Sequence, residues 1–218
     1  MSARLWIGLA LGALGCAAPA RETPPAADVA TAADTLPPTP PSAPTFGTRA
    51  AGTLSWEEMS VRMVGRETSA GLRIDVTTLE PSALEVAAPD IRAYLEDLLR
   101  RARVDSGLSE REIGEMKTFL VGFTGFEKEV HYDPSLLHIR SEASTYYPLR
   151  IVPVSERFER RVVDLYQTVY AVYIFEPSVD LNATLDFRYE ELSSGGAWRA
   201  LINRVQRARA RQEKELGR

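Results

Sequence analysis

The stretch Thr-Val-Tyr-Ala-Val-Tyr-Ile-Phe-Glu at residues 168–176 decides the fold class of this chain. It is rich in β-branched and aromatic residues, and both faces that a β-strand would present are apolar. A strand of this kind is covered on both faces, and Pro177 ends it because proline cannot donate a hydrogen bond to a neighbouring strand. The stretch therefore predicts a central strand in a layered β structure.

Shorter strand patterns lie on both sides of this segment. Residues 183–189 alternate apolar and polar side chains, which is the pattern of a strand with one packed face and one wet face. Further segments with strand-like composition are separated by turn residues such as Asp133-Pro134-Ser135. They are residues 60–64, 72–79, 118–123, 136–140 and 149–154. The sequence thus predicts about seven short strands.

Two amphipathic helices interrupt or follow the strands. In residues 90–103 apolar side chains recur at helical spacing. A short helical turn follows at Ser109, because the Ser-x-x-Glu spacing there is that of a capping box. A second apolar stripe begins at Trp198, and Ser193 or Ser194 is its predicted cap.

These elements predict a mainly β domain over residues 52–218. Short strands, turn signals at moderate spacing and no strand–helix–strand rhythm favour an antiparallel β-sandwich. We expect a helical insertion near residues 89–116 and a C-terminal helix. In outline the pattern resembles an Ig-like envelope domain, although the Cys-Trp-Cys signature is missing. An open antiparallel α+β sheet is the alternative.

Residues 1–15 have the layout of an export signal. A single cation precedes the apolar run at residues 5–11, which is too short to span a bilayer. Residues 13–16 read Ala-Leu-Gly-Cys and resemble the lipobox of bacterial lipoproteins. The resemblance implies export, cleavage between Gly15 and Cys16, and attachment of diacylglycerol to the Cys16 sulfur, the only thiol of the chain.

The residues after the cysteine indicate which membrane holds the protein and predict a tether between lipid and domain. In the Gram-negative families that the signal resembles, aspartate after the cysteine favours the inner membrane. Ala17 therefore implies the outer membrane, with the domain facing the periplasm. Residues 16–51 are rich in proline, alanine and threonine, so they bury too little surface to fold and predict a disordered tether. Such a segment reaches about 30 to 100 Å.

Composition and missing motifs narrow the functional classes. The chain has 26 Lys and Arg against 30 Asp and Glu, which argues against general nucleic-acid binding. No nucleophile elbow, P-loop or dinucleotide-binding glycine pattern occurs, so we expect no cofactor and no bound metal. The sequence favours a non-catalytic envelope domain that contacts the membrane through lipid on Cys16 and binds a protein or glycan partner.

Two sets of side chains are candidates for a site. Tyr146, Tyr147 and Tyr170 offer flat apolar area with a polar tip, which suits a ligand-binding groove. Core packing is the alternative for these tyrosines, since their spacing also fits strands.

The histidines supply a second functional hypothesis. His131 and His138 flank Asp133, and a hairpin that brought the three together would make a periplasmic metal-dependent hydrolase the alternative function. Their spacing matches no common zinc motif, and solvent exposure is the simpler interpretation.

The C-terminal segment is strongly basic. Residues 199–218 carry seven Lys and Arg against Glu213 and Glu215. This charge is suited to anionic lipid or cell-wall polymer, and a solvated helix end is the alternative.

Overall fold

A computed structural model describes residues 52–64, 71–142, 144–215 and 217. The predicted signal and tether, with the cleavage site at Gly15 and Cys16, lie outside the described residues. The α-helices of the described part are Trp56–Met59 (α1), Pro81–Leu84 (α2), Pro89–Ser106 (α3), Glu110–Glu115 (α4) and Ala197–Glu215 (α5). The strands are Ser60–Val64 (β1), Leu72–Thr78 (β2), Lys117–Gly125 (β3), Val130–His131 (β4), His138–Arg140 (β5), Thr145–Tyr146 (β6), Arg150–Pro153 (β7), Val162–Val163 (β8), Thr168–Phe175 (β9), Asp186–Tyr189 (β10) and Leu192–Ser193 (β11).

The described strands form antiparallel sheets. The large sheet has five strands in the order β1-β2-β3-β9-β7, and the small sheet has four in the order β11-β10-β5-β6. Strands β4 and β8 pair as a two-stranded ribbon. Strand β9 lies between β3 and β7, so residues 168–176 do contain an interior strand, as predicted.

Most of the predicted elements are confirmed. Each of the seven predicted segments contains a strand, and α3 and α4 occupy the predicted insertion. The capping box is present, because the Ser109 hydroxyl accepts the Glu112 backbone N–H while the Glu112 carboxylate accepts that of Ser109. The predicted cap of the last helix is wrong: α5 begins at Ala197, beyond both Ser193 and Ser194.

The predicted mainly β class needs a correction. Helices hold 36% and strands 32% of the described structure, so the fold is mixed, with antiparallel sheets, and an Ig-like sandwich is not confirmed. The physical reason is the size of the two long helices, which have 18 and 19 residues. Helix α3 lies against β7 and β9 of the large sheet, and α5 lies against β1.

The apolar core occupies both faces of the large sheet. On one face, the ring of Phe119 contacts those of Phe187 in β10 and Trp198 in α5, with centroids 5.1 and 5.8 Å away. The other face is covered by α3, whose buried residues include Ile91, Leu95, Leu98 and Ala102. Since successive side chains of a strand point to opposite faces, this arrangement explains why β9 is buried at every position after Thr168.

Candidate binding cleft

The structure does not bring the two histidines together. His131 lies in the two-stranded ribbon, whereas His138 lies in the small sheet, where its Nδ1 is 2.9 Å from the Leu136 carbonyl oxygen. The Asp133 carboxylate accepts hydrogen bonds from the hydroxyl and the backbone N–H of Ser135, which hold its pKa below the usual range. Among the residues that the structure describes, no group of three His, Cys, Asp or Glu side chains is placed to hold a metal ion.

The three candidate tyrosines do not line one groove. Tyr147 is 61% exposed, and its ring lies 5.4 Å from that of His138. Tyr146 is half-buried in β6. Tyr170 is buried in β9 and packs against Gly122, where an added Cβ would lie 2.7 Å from the tyrosine ring. Burial raises the pKa of Tyr170 to about 12. Of the three, Tyr147 is the accessible one.

A cleft that no sequence motif indicated lies between α5 and the segment that follows β9. Its volume is about 490 Å³, within the range of about 300 to 1,000 Å³ that is typical of ligand sites. Its polar lining includes Glu80, Ser82, Lys117, Asp180, Gln206 and Arg209. These side chains come from the α2 region, the start of β3, residues 177–182 and α5, so the cleft is assembled from four separate parts of the chain.

The first turn of α5 holds one wall of the cleft in place. The Trp198 indole N–H donates a hydrogen bond of 2.9 Å to the Leu181 carbonyl oxygen. The next residue, Arg199, donates one of 3.0 Å to the carbonyl oxygen of Asn182. Since Trp198 is fully buried, it fixes this wall to the core rather than to another surface residue.

An ion pair lies in the cleft. The Lys117 Nζ is 3.8 Å from Glu80 Oε2, and these side chains are 25% and 18% exposed. Burial raises the pKa of Glu80, while the Lys117 ammonium and a hydrogen bond from the Thr118 backbone oppose that rise. A partly buried carboxylate with a shifted pKa and a charged neighbour in a cleft is typical of functional sites, although structural ion pairs share these properties.

A second ion pair lies at the rim. The Arg209 Nε is 3.8 Å from Glu85 Oε2, with the side chains 46% and 63% exposed. Exposed pairs of this kind contribute about 0 to 1 kcal/mol to stability. Arg209 is therefore available to a ligand at little cost to the fold.

The Asp186 carboxylate organises the turn that leads into α5. It accepts hydrogen bonds from the Ser193 hydroxyl at 2.7 Å, the Gly195 backbone N–H at 2.9 Å and the Arg188 guanidinium at 2.7 Å. Burial raises the pKa of Asp186, but these hydrogen bonds outweigh burial and leave the pKa below its usual value. Ser193 and Ser194, the two predicted helix caps, thus both donate their hydroxyls to this carboxylate instead.

Replacing Asp186 with asparagine should lower the free energy of unfolding at neutral pH by about 2 kcal/mol, because hydrogen bonds to a charged acceptor are lost. The folded pKa lies below the unfolded one, so this stabilisation is complete above the unfolded pKa and is lost as the pH falls through the folded pKa. The free energies of unfolding of the two proteins, measured in urea, should therefore begin to converge as the pH falls below about 4. Parallel stability profiles down to the acid limit would contradict the role given to the carboxylate.

Comparison with models of protein families, with curated proteins and with solved structures finds no match. Over the described ranges, no helix combines the length and apolar character that a membrane crossing requires.

Proposed function

We propose that this chain is a lipid-anchored protein of the bacterial cell envelope whose folded domain binds, without catalysis, a protein or glycan partner in the cleft beside α5. The lipobox-like residues 13–16 and the proline-rich residues 16–51 support the anchor and the tether. The proposed location is the outer membrane, with the domain facing the periplasm. The observation that carries the binding role is the cleft, which is of ligand size and has charged groups of both signs.

The charged groups of the cleft suggest what kind of ligand it accepts. The 3.8 Å between Lys117 and Glu80 exceeds the roughly 2.8 Å of a charge-assisted hydrogen bond, so the ammonium can turn to a carboxylate of a ligand. Arg209 offers a second cationic group. Glu80 and Asp180 can accept hydrogen bonds from amines or hydroxyls. The combination suits a ligand with carboxylate, amino and hydroxyl groups, as a cell-wall glycopeptide has.

The floor of the cleft adds apolar contact to this polar recognition. Val179 and Val205 line it and are buried, and Ile202 lines it and is half-buried. Ligand sites commonly combine an apolar floor with a few placed polar groups that fix orientation. Because the floor residues belong to the core and the 177–182 wall is tied to Trp198, the cleft is preformed, which lowers the entropic cost of binding.

Soluble glycopeptide fragments released from bacterial cell wall by a muramidase are the probe for this proposal. We expect residues 17–218 to bind them and the variant Arg209→Glu to bind at least tenfold more weakly, a change of about 1.4 kcal/mol or more. Calorimetric titration measures the affinity. Amide chemical shifts should change near Lys117 and Asp180.

The matched control is Arg111→Glu. Like Arg209, Arg111 is an exposed helix arginine with an acidic neighbour, here at 3.4 Å, but it does not line the cleft. The Arg111→Glu substitution should therefore leave the affinity unchanged. An equal loss in both variants, or no binding by the unaltered chain, would refute the proposed glycopeptide site.

A further inference from the structure

Three arginines share one face of α5. Arg204, Arg207 and Arg211 are spaced i, i+3 and i+7, so they lie above one another on the helix. They line a groove of about 170 Å³ between α5 and α1, together with Leu54, Glu58 and Ala208. A guanidinium group presents paired N–H donors that match two phosphate oxygens, so three of them in one groove make phosphate the natural ligand.

Backbone contacts orient two of these side chains. The Arg204 Nε donates to the Glu58 carbonyl oxygen, and the Arg207 Nε donates to the Asn203 carbonyl oxygen, both at 3.1 Å. Each contact uses one N–H of the guanidinium and leaves its other N–H groups for a ligand. Arg211 also lines the groove and is exposed.

One acidic residue lines the groove. The Glu58 carboxylate accepts the Ser55 backbone N–H at 2.9 Å in a capping box at the start of α1. That hydrogen bond directs the carboxylate toward Ser55, the N-cap of α1. With three arginines against one glutamate, the groove is positive.

The rest of the domain has the opposite charge. Helix α5 contains six Lys and Arg against two Glu, whereas residues 52–196 contain 16 Lys and Arg against 25 Asp and Glu. An anionic surface would repel most of the domain and attract α5, so the domain would approach it with α5 facing the surface. Each cation close to such a surface strengthens binding by about fivefold.

The proposed tether joins the fold beside this groove. Gly52 is the first described residue, and a Cβ there would lie 3.5 Å from the Glu215 carboxylate in the last turn of α5. Two residues later, Leu54 lines the groove. A chain fastened to a bilayer through residues 16–51 would keep the domain within reach of lipid at a high effective concentration, which favours lipid over a soluble partner.

We infer that the groove lined by Arg204, Arg207 and Arg211 binds the phosphate of an anionic phospholipid headgroup and seats the domain on the membrane that holds its anchor. The inference rests on the proposed lipid anchor. The contact would be reversible, because it adds a surface interaction to an attachment that is already made. It would also set the orientation of the cleft relative to the bilayer.

The test uses unlipidated residues 17–218, which keep every described residue, with vesicles of phosphatidylcholine alone or mixed equally with phosphatidylglycerol. We expect cosedimentation with the mixed vesicles only, weakening as salt is raised. The double variant Arg207→Glu/Arg211→Glu should lower the affinity by tenfold or more. The control Arg100→Glu/Arg111→Glu makes the same charge change on exposed sites of α3 and α4 and should keep the affinity within about twofold.

Three outcomes would overturn the inference: equal binding to neutral vesicles, equal losses in both double variants, or no loss in either. A separate arm titrates inorganic phosphate while amide shifts of α5 are followed. Saturation by free phosphate with no preference for anionic vesicles would assign the groove to phosphate ions and also overturn it. None of these results would affect lipid labelling of Cys16 or glycopeptide binding in the cleft, so the proposed function is tested independently.

Discussion

Replacing Trp198 with alanine is expected to lower the free energy of unfolding by about 3 to 5 kcal/mol, a large share of the roughly 5 to 15 kcal/mol that stabilises a domain. The side chain is fully buried, and its ring contacts those of Phe119 and Phe187. Alanine would leave a cavity between the large sheet, the small sheet and α5. It would also leave the Leu181 carbonyl oxygen without its indole donor.

Trp198→Phe separates packing from hydrogen bonding. Phenylalanine keeps a ring in the core but has no N–H to donate, so we expect a smaller loss, about 1 to 3 kcal/mol. Urea unfolding followed by circular dichroism measures both variants. A loss below about 1 kcal/mol for the alanine variant would show that Trp198 is not a central core residue.

The Trp198→Phe variant also tests whether the position of the cleft wall determines ligand binding. Because the Trp198 indole holds residues 177–182 against α5, the phenylalanine variant should remain folded while glycopeptide binding weakens. Arg199 still donates to Asn182 in that variant, so the wall would loosen rather than detach. A folded phenylalanine variant with unchanged affinity would mean that the position of this wall does not determine binding.

Local patterns were sufficient to predict most elements of the fold. The apolar stretch at residues 168–176 identified β9 as an interior strand because both of its faces are covered. Helix α3 lies on one face, and the other face bears Phe175, which contacts Phe119 beneath Phe187 and Trp198. The Ser109 capping box predicted α4, since the hydrogen bonds of a cap involve neighbours in sequence. Strand order could not be predicted in this way, because the pairing of β3 with β9 joins residues about fifty positions apart.

The candidate sites were harder to predict for a related reason. Sequence proximity grouped His131 with His138, but strand pairing places them in different sheets. Tyr147 and Tyr170 have the same chemistry, and only tertiary packing exposes one and buries the other. The cleft joins Glu80, Lys117, Asp180 and Arg209 from distant parts of the chain, so no motif of fixed spacing describes it.

Helix α5 separates the two proposed surfaces. Each residue of an α-helix is rotated by about 100° from the one before it. Arg209 of the cleft is two positions from both Arg207 and Arg211 of the groove, so it projects from roughly the opposite side of the helix. A domain seated on lipid through the groove would therefore keep its cleft turned away from the headgroups and open to a periplasmic ligand.

Replacing Cys16 with serine is expected to abolish incorporation of labelled palmitate and to remove the anchored protein from salt-washed membranes. Serine has no thiol to form the thioether with diacylglycerol, and each buried CH₂ of the lost chains would have contributed about 0.8 kcal/mol to membrane binding. Gel analysis should show an uncut precursor or an unlabelled product. A precursor that keeps its apolar signal is distinguished by its greater mass. Unchanged label in the serine variant would refute the anchor.

Ala17→Asp is the matched control for this substitution. It leaves the Cys16 thiol in place, so labelling should persist, while the resemblance to Gram-negative lipoproteins implies a shift from the outer to the inner membrane fraction. High salt separates the two modes of attachment, because the Debye length falls to about 3 Å at 1 M salt, which screens the attraction between arginines and headgroups and leaves acyl chains in the bilayer. Protein that stays bound after the wash in Ala17→Asp but not in Cys16→Ser would assign retention to the lipid and leave the groove the role of orienting the domain.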